Sequence, residues 1–242
     1  MQGSRKADAR PCLPFLFIVT DEASCAEFLA VAVALLTTLE HEPAKLARRL
    51  CDLERVALYF VLQSRAVIVT KRHARARAML DSMRDESETP DAYSLSADEK
   101  RSCIERLNGS FESTKEVRAA KAVLLKLNAH ALWSASESTV EAQWELEHVM
   151  PKKLTAKWKE DWPDLKKCEE WQHVLGNFAI VNATMNKKMG NQGFALKQEK
   201  FLESAFPLTQ KIGREHTKWG EEDVRENQER LVALAIEVFR LE

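Results

Sequence analysis

Two short segments constrain this chain more than anything else in it, because they interrupt a pattern that is otherwise helical. Trp144, Glu145, Leu146, Glu147, His148 and Val149 alternate as a strand does, with Trp144, Leu146 and His148 on one face and Glu147 on the other. Phe178, Ala179, Ile180 and Val181 form a second β-type run, and Thr184 or Asn186 can start a helix directly after it. Strand, strand, helix is a small frame that brings side chains from three elements to one place.

Around that frame the chain reads as helix. Gly and Pro number only seven each in 242 residues, and Ala, Leu, Glu and Lys, all good helix formers, abound. A helix is predicted over residues 20–40, with Thr20 and Asp21 as caps. Pro43 opens a second helix to about Gln63, with Leu46, Leu50, Leu53, Val56, Ala57 and Phe60 repeating at three and four. Its other face carries Arg48, Arg49 and Arg55, a candidate DNA-binding surface. A third, basic helix covers about 71–84, and a polar loop with one proline covers 85–95. Ser96 or Asp98 leads a short helix to about Leu107. A periodic helix spans 114–133, and a Ser-rich stretch at 134–139 marks a boundary. Trp158, Trp162 and Trp171 lie in short helices where tryptophans pack against a core, with stacking on bases as the alternative. A last helix covers 221–241.

Charge and cysteine usage narrow the setting. The net charge is −1, but residues 44–77 hold nine Lys/Arg against two acids, and residues 152–200 hold ten Lys against six acids. Local basic surface is enough for phosphate, so the overall balance does not exclude a nucleic-acid partner. Cys12, Cys25, Cys51, Cys103 and Cys168 are scattered and never spaced as Cys-x-x-Cys, which argues against a disulfide framework and fits a reducing cytoplasm. The most apolar run, residues 28–36, is nine residues long, and a bilayer span needs ~20. The N-terminal residues lack the apolar core of a secretory signal. A cytoplasmic protein with no membrane partner is the expectation.

The residues with chemical potential cluster in order: Glu147-His148-Val149-Met150-Pro151, then Leu175-Gly176-Asn177, then Asn186-Lys187-Lys188. Phosphodiester hydrolysis needs a water made nucleophilic and a stabilised leaving oxyanion. A histidine can take the water's proton. A hard cation held by oxygen donors can stabilise the phosphate oxygens. Glu147 offers a charged oxygen, Asn186 a neutral one, and two protein ligands suit Mg2+ or Mn2+.

These residues, with Phe194-Ala195-Leu196-Lys197 downstream, resemble the His-Asn-His nucleases with a ββα-metal site. More narrowly, they look like the nuclease domain of GmrSD-type, modification-dependent restriction systems. The close match covers residues 144–201, and Trp219, Arg230 and Leu231 fit the family's closing pattern. The nine-residue step from Asn177 to Asn186 resembles the same step in the His-Asn-His domain of RNA-guided CRISPR nucleases.

The resemblance implies a mainly α protein with a small ββα-metal core (α+β), made of an N-terminal helical region, 1–139, and a nuclease region, 140–242. It implies that Glu147 and Asn186 bind the metal and that His148 is the general base. Asn177 would brace the loop between the strands, with Lys187, Lys188 and Lys197 near phosphate. Double-stranded DNA would be cut to leave a 3′-hydroxyl, in defence against foreign or modified DNA.

Related proteins often carry or pair with a nucleotide-hydrolysing domain bearing an Asp-Gly-Gln-Gln-Arg-like run. No such run and no phosphate-binding Gly-Lys loop occurs here, so a separate nucleotide-hydrolysing subunit is the expected partner. A catalytically inactive DNA- or partner-binding module built on the same frame is the alternative. His173, in a segment patterned as helix, is read as packing rather than as a second base. Asn182 and Asn191 fit the ligand spacing less well than Asn186.

Overall fold

The structure is a computed structural model that describes residues 25–63, 68–84, 90–134 and 144–242. The caps expected at Thr20 and Asp21 and the boundary expected between 139 and 140 lie outside those residues. The chain separates into two compact units, one running to Arg106 and taking in Phe239–Glu242, the other comprising Leu107–Val238.

The first unit holds α1 (Ala26–Thr38), α2 (Pro43–Leu62), α3 (Ile68–Asp81) and α4 (Ala97–Leu107), whose last residue opens the second unit. Pro43 stands in the first turn of α2, where a missing N–H costs nothing. Leu50, Leu53, Val56, Ala57 and Phe60 are buried as their periodicity predicts. The polar side of α2 is buried too. Arg49 is 3% exposed, with its guanidinium 5.0 Å from the Tyr93 ring centre. Arg55 pairs with Asp52 at 3.2 Å and donates from Nε to the Phe239 carbonyl at 3.0 Å.

The basic surface expected of Arg48, Arg49 and Arg55 therefore does not form. Only Arg48 is exposed, because a helix packed on several sides draws its long cationic side chains onto internal partners. Basic α3 follows the same rule: Arg75 bonds Glu99 at 2.6 Å and the Ser94 carbonyl at 3.0 Å.

The second unit contains α5 (Thr114–Ser134), β1 (Trp144–His148), α6 (Trp158–Asp161), α7 (Leu165–Gln172), β2 (Phe178–Asn182), α8 (Ala183–Met189), α9 (Phe194–Leu202), α10 (Pro207–Glu215) and α11 (Glu221–Phe239). β1 and β2 form an antiparallel pair with Glu145 opposite Val181, Glu147 opposite Ala179 and His148 opposite Phe178. Helices α5 and α8 both pack on the two strands, which is why α5 belongs with the sheet and the units part at 106/107, upstream of the expected boundary.

Both α4 and α5 start on a reciprocal capping pair. Ser96 Oγ accepts from Glu99 N while Ser96 N donates to the Glu99 carboxylate, and Ser113 and Glu116 repeat the arrangement. Trp158 and Trp162 are core residues, their indole N–H groups donating to the carbonyls of Gln192 and Trp219 at 2.9 and 2.6 Å. Among the described residues no helix is long and apolar enough to cross a membrane.

Candidate functional site

The loop leading into β2 is fixed first. Gly176 lies so close to α11 that a Cβ there would come within 2.6 Å of the Gln228 backbone, so no other residue fits without displacing the helix. Gly176 N donates to Gln228 Oε1, and Asn227 Nδ2 donates to the Gly176 carbonyl, both at 2.6 Å. Asn177, 0% exposed, then reaches across to the chain just after β1. Its Oδ1 accepts from Met150 N at 2.8 Å and from Trp219 Nε1 at 3.0 Å. Its Nδ2 donates to the carbonyls of Met150 and Gln172 at 3.0 and 2.9 Å. Both lone pairs and both donors of this carboxamide are used inside the protein. Asn177 ties the chain after β1 to the loop before β2.

Beyond that brace, β1 divides its polar residues between two faces, as period-two geometry requires. His148 faces Phe178, its cross-strand neighbour, with ring centres 4.7 Å apart, and His173, at 5.4 Å and nearly perpendicular. His148 Nε2 and His173 Nδ1 are buried and have no hydrogen-bond partner among the described residues. Burial pushes the His148 pKa down to about 3, and Lys152, His173 and Lys197 act in the same direction. His148 is therefore a neutral imidazole at neutral pH.

Glu145 and Glu147 take the other face. Helix α8 begins at Ala183, where Asn182 Oδ1 caps it by accepting from Met185 N at 2.7 Å. Neither Thr184 nor Asn186 starts the helix. Asn186 stands one turn in, and its Nδ2 donates to Glu145 Oε2 at 2.6 Å. The Glu147 carboxylate is instead held by the ammonium of Lys197 on α9, which also donates to the His148 carbonyl at 2.7 Å. Burial raises the Glu147 pKa, with Lys197 pulling it back; burial likewise lowers that of Lys197, with Glu147 pulling it up. Because Lys197 is 0% exposed and turned onto Glu147, it does not serve as the phosphate contact expected of it. Lys187 and Lys188, by contrast, are exposed on α8 immediately after Asn186.

Glu147 and Asn186 thus lie on the same side of the sheet, His148 on the other, and all three gather at β1 and the turn of α8 beside it. Beside the Lys197 ammonium that holds Glu147, the metal donors on the acidic side are all oxygens: two carboxylates on residues about 7 Å apart along the strand and one carboxamide. Glu145 raises the Glu147 pKa, so the two negative groups feel each other, a repulsion that a hard cation relieves. The donor set therefore fits Mg2+ or Mn2+ in kind. Among the described residues there is no cluster of three or more His, Cys, Asp or Glu able to hold a metal ion, so a purely imidazole, thiolate or carboxylate cage is not on offer.

Glu145 and His173 join the site from outside the motif. The alternation that places Glu147 also places Glu145, so the first was legible in the sequence. His173 is brought in only by the hydrogen bond from Phe111 N to its carbonyl at 2.8 Å and by the packing of α7, a contact no local pattern announces.

Comparison with known protein families gives one match: the model of GmrSD restriction endonucleases, C-terminal domain, aligns with residues 98–234, more than half of the chain. The matched span takes in α4, both strands, Asn177, Asn186 and most of α11. No curated protein matched the chain.

Proposed function

The chain belongs to the family of GmrSD restriction endonuclease C-terminal domains, and from that premise we propose that it is a metal-dependent DNA endonuclease with a His-Asn-His type of site. The observation that carries this reading is His148 Nε2, a buried ring nitrogen on a neutral imidazole with no hydrogen-bond partner among the described residues. A structural histidine in a core normally satisfies both ring nitrogens. One left open at the end of a strand suits a group that takes a proton from water.

In this reading Glu147 and Asn186 hold Mg2+ or Mn2+, and Asn177 keeps the end of β1 in place. Exposed Lys187 and Lys188 draw the DNA backbone toward α8. When bound, the cation would polarise the phosphate and stabilise the leaving oxygen. Because the acidic residues and His148 leave β1 on opposite faces, a phosphate reaching both lies across the end of the strand. Approach of that anion raises the proton affinity of His148, which burial otherwise depresses, so the base strengthens when substrate is present. The substrate is double-stranded DNA of foreign or modified origin, encountered in the cytoplasm.

Plasmid nicking tests the proposal. The purified chain is expected to nick in Mg2+ or Mn2+ and to stop in EDTA, with the rate falling ~10²–10⁴-fold in His148→Ala. A His148→Ala protein that nicks as fast as the parent removes His148 as the base. A folded parent that does not nick, even with a nucleotide-hydrolysing partner added, points to a binding module instead.

A further inference from the structure

We propose that Glu145 is a ligand of the cation, acting with Asn186 as a two-oxygen clasp between β1 and α8. This rests on the reading of the acidic face as a hard-cation centre and changes which carboxylate leads it. Glu147, the motif residue, is already committed. Its carboxylate is paired with a fully buried ammonium, and the His148 backbone amide also supports its charge. Glu145, two residues earlier on the same face, has one oxygen engaged by Asn186. Its Oε1 makes no hydrogen bond or ion pair among the described residues.

The chemistry of that one hydrogen bond fixes the orientation of Asn186. An ionised carboxylate only accepts, so the group 2.6 Å from Glu145 Oε2 is the amide NH2, and Oδ1 is the oxygen left over. Asn186 Oδ1 also has no partner among the described residues. A carboxylate oxygen and a carboxamide oxygen, both without partners among the described residues, are thereby carried by two half-buried residues that one hydrogen bond already joins. A neutral donor beside a charged one, with water free to complete the shell, is what Mg2+ and Mn2+ accept. Lys197 then has a second consequence: by neutralising Glu147 it leaves Glu145 as the carboxylate whose charge is uncompensated by any ion pair among the described residues.

Binding of Mn2+ to the metal-free protein, followed by the EPR signal of the free ion, tests this without reference to cleavage. Glu145→Gln is the informative variant. Its amide oxygen can still accept from Asn186, so the hydrogen bond survives while the charged ligand is removed. Mn2+ affinity is expected to fall at least about tenfold in Glu145→Gln, with the melting temperature of the metal-free protein unchanged. Asn186→Ala is expected to weaken binding comparably, and Glu147→Gln to weaken it less than Glu145→Gln. Undiminished Mn2+ binding by Glu145→Gln, with a loss in Asn186→Ala or Glu147→Gln, overturns the clasp and leaves the cation centre standing. A folded parent protein that binds no Mn2+ overturns the cation centre itself, and the clasp with it.

Discussion

The loop before β2 and the end of β1 lie side by side, yet they treat buried polar groups in opposite ways. In the loop every polar atom of Asn177 is matched, and Gly176 is tied to α11 through both its N–H and its carbonyl. On β1 and the adjoining turn of α8, His148 Nε2, Glu145 Oε1 and Asn186 Oδ1 have no partner among the described residues. Full satisfaction makes a rigid support, whereas an open polar atom held by such a support is stabilised only when something else arrives. Of the two asparagines in the motif, then, one belongs to the scaffold and the other, in the proposed reading, to the chemistry.

The sharpest way to break that contrast is Asn177→Ala. It strands Met150 N–H, Trp219 Nε1–H and two carbonyls in the interior, and urea unfolding should show a loss of about 4 kcal/mol. A loss below about 1 kcal/mol would mean the loop is not the support described. Lys197→Met comes next. It keeps much of the volume but leaves Glu147 without its cation, an expected cost of about 3 kcal/mol. Adding Glu147→Gln to the same protein should recover part of that loss, and strict additivity of the two changes would dissolve the pair.

The remaining test, on the open side, reads a slope against pH rather than a single loss. The folded-state pKa of His148 is depressed to about 3 from its ordinary value of 6.5, chiefly by burial. The unfolded chain therefore takes up this proton at a higher pH than the folded one does. Stability carried by neutral His148 is complete above the unfolded value and drains away as pH falls toward 3, by at most about 1.4 kcal/mol per pH unit. In metal-free protein, the slope of stability against pH between about 4 and 6 should be shallower in His148→Ala than in the parent.

Much of this arrangement was readable before any coordinates. Heptad-like spacing located α2 and α5, alternation located β1, and Pro43 and the Leu-Gly-Asn turn carried their own physical reasons. Ser96 with Glu99, and Ser113 with Glu116, show their capping pairs in the bare sequence at the right spacing. The Asn182 cap is equally local, and it moves the start of α8 so that Asn186 sits inside the helix. What stayed hidden is non-local. That Lys197 is buried follows from where α9 lies against β1, fifty residues away. That Arg49 and Arg55 turn inward depends on Tyr93 and Phe239, which no window around α2 contains. A charged side chain reveals its chemistry in sequence but not its company.

The dependence of the Leu175–Asn177 turn on Trp219, Asn227 and Gln228 also has a bearing on synthesis. A ribosome finishes the strands and the His148 motif well before it makes those three residues, and domains assemble as their parts emerge. Until α11 has left the exit tunnel, Gly176 has no helix to lie against and Asn177 lacks one of its donors. A nascent chain thus carries every residue of the site while lacking the buttress that aligns them, so the alignment arrives only with α11.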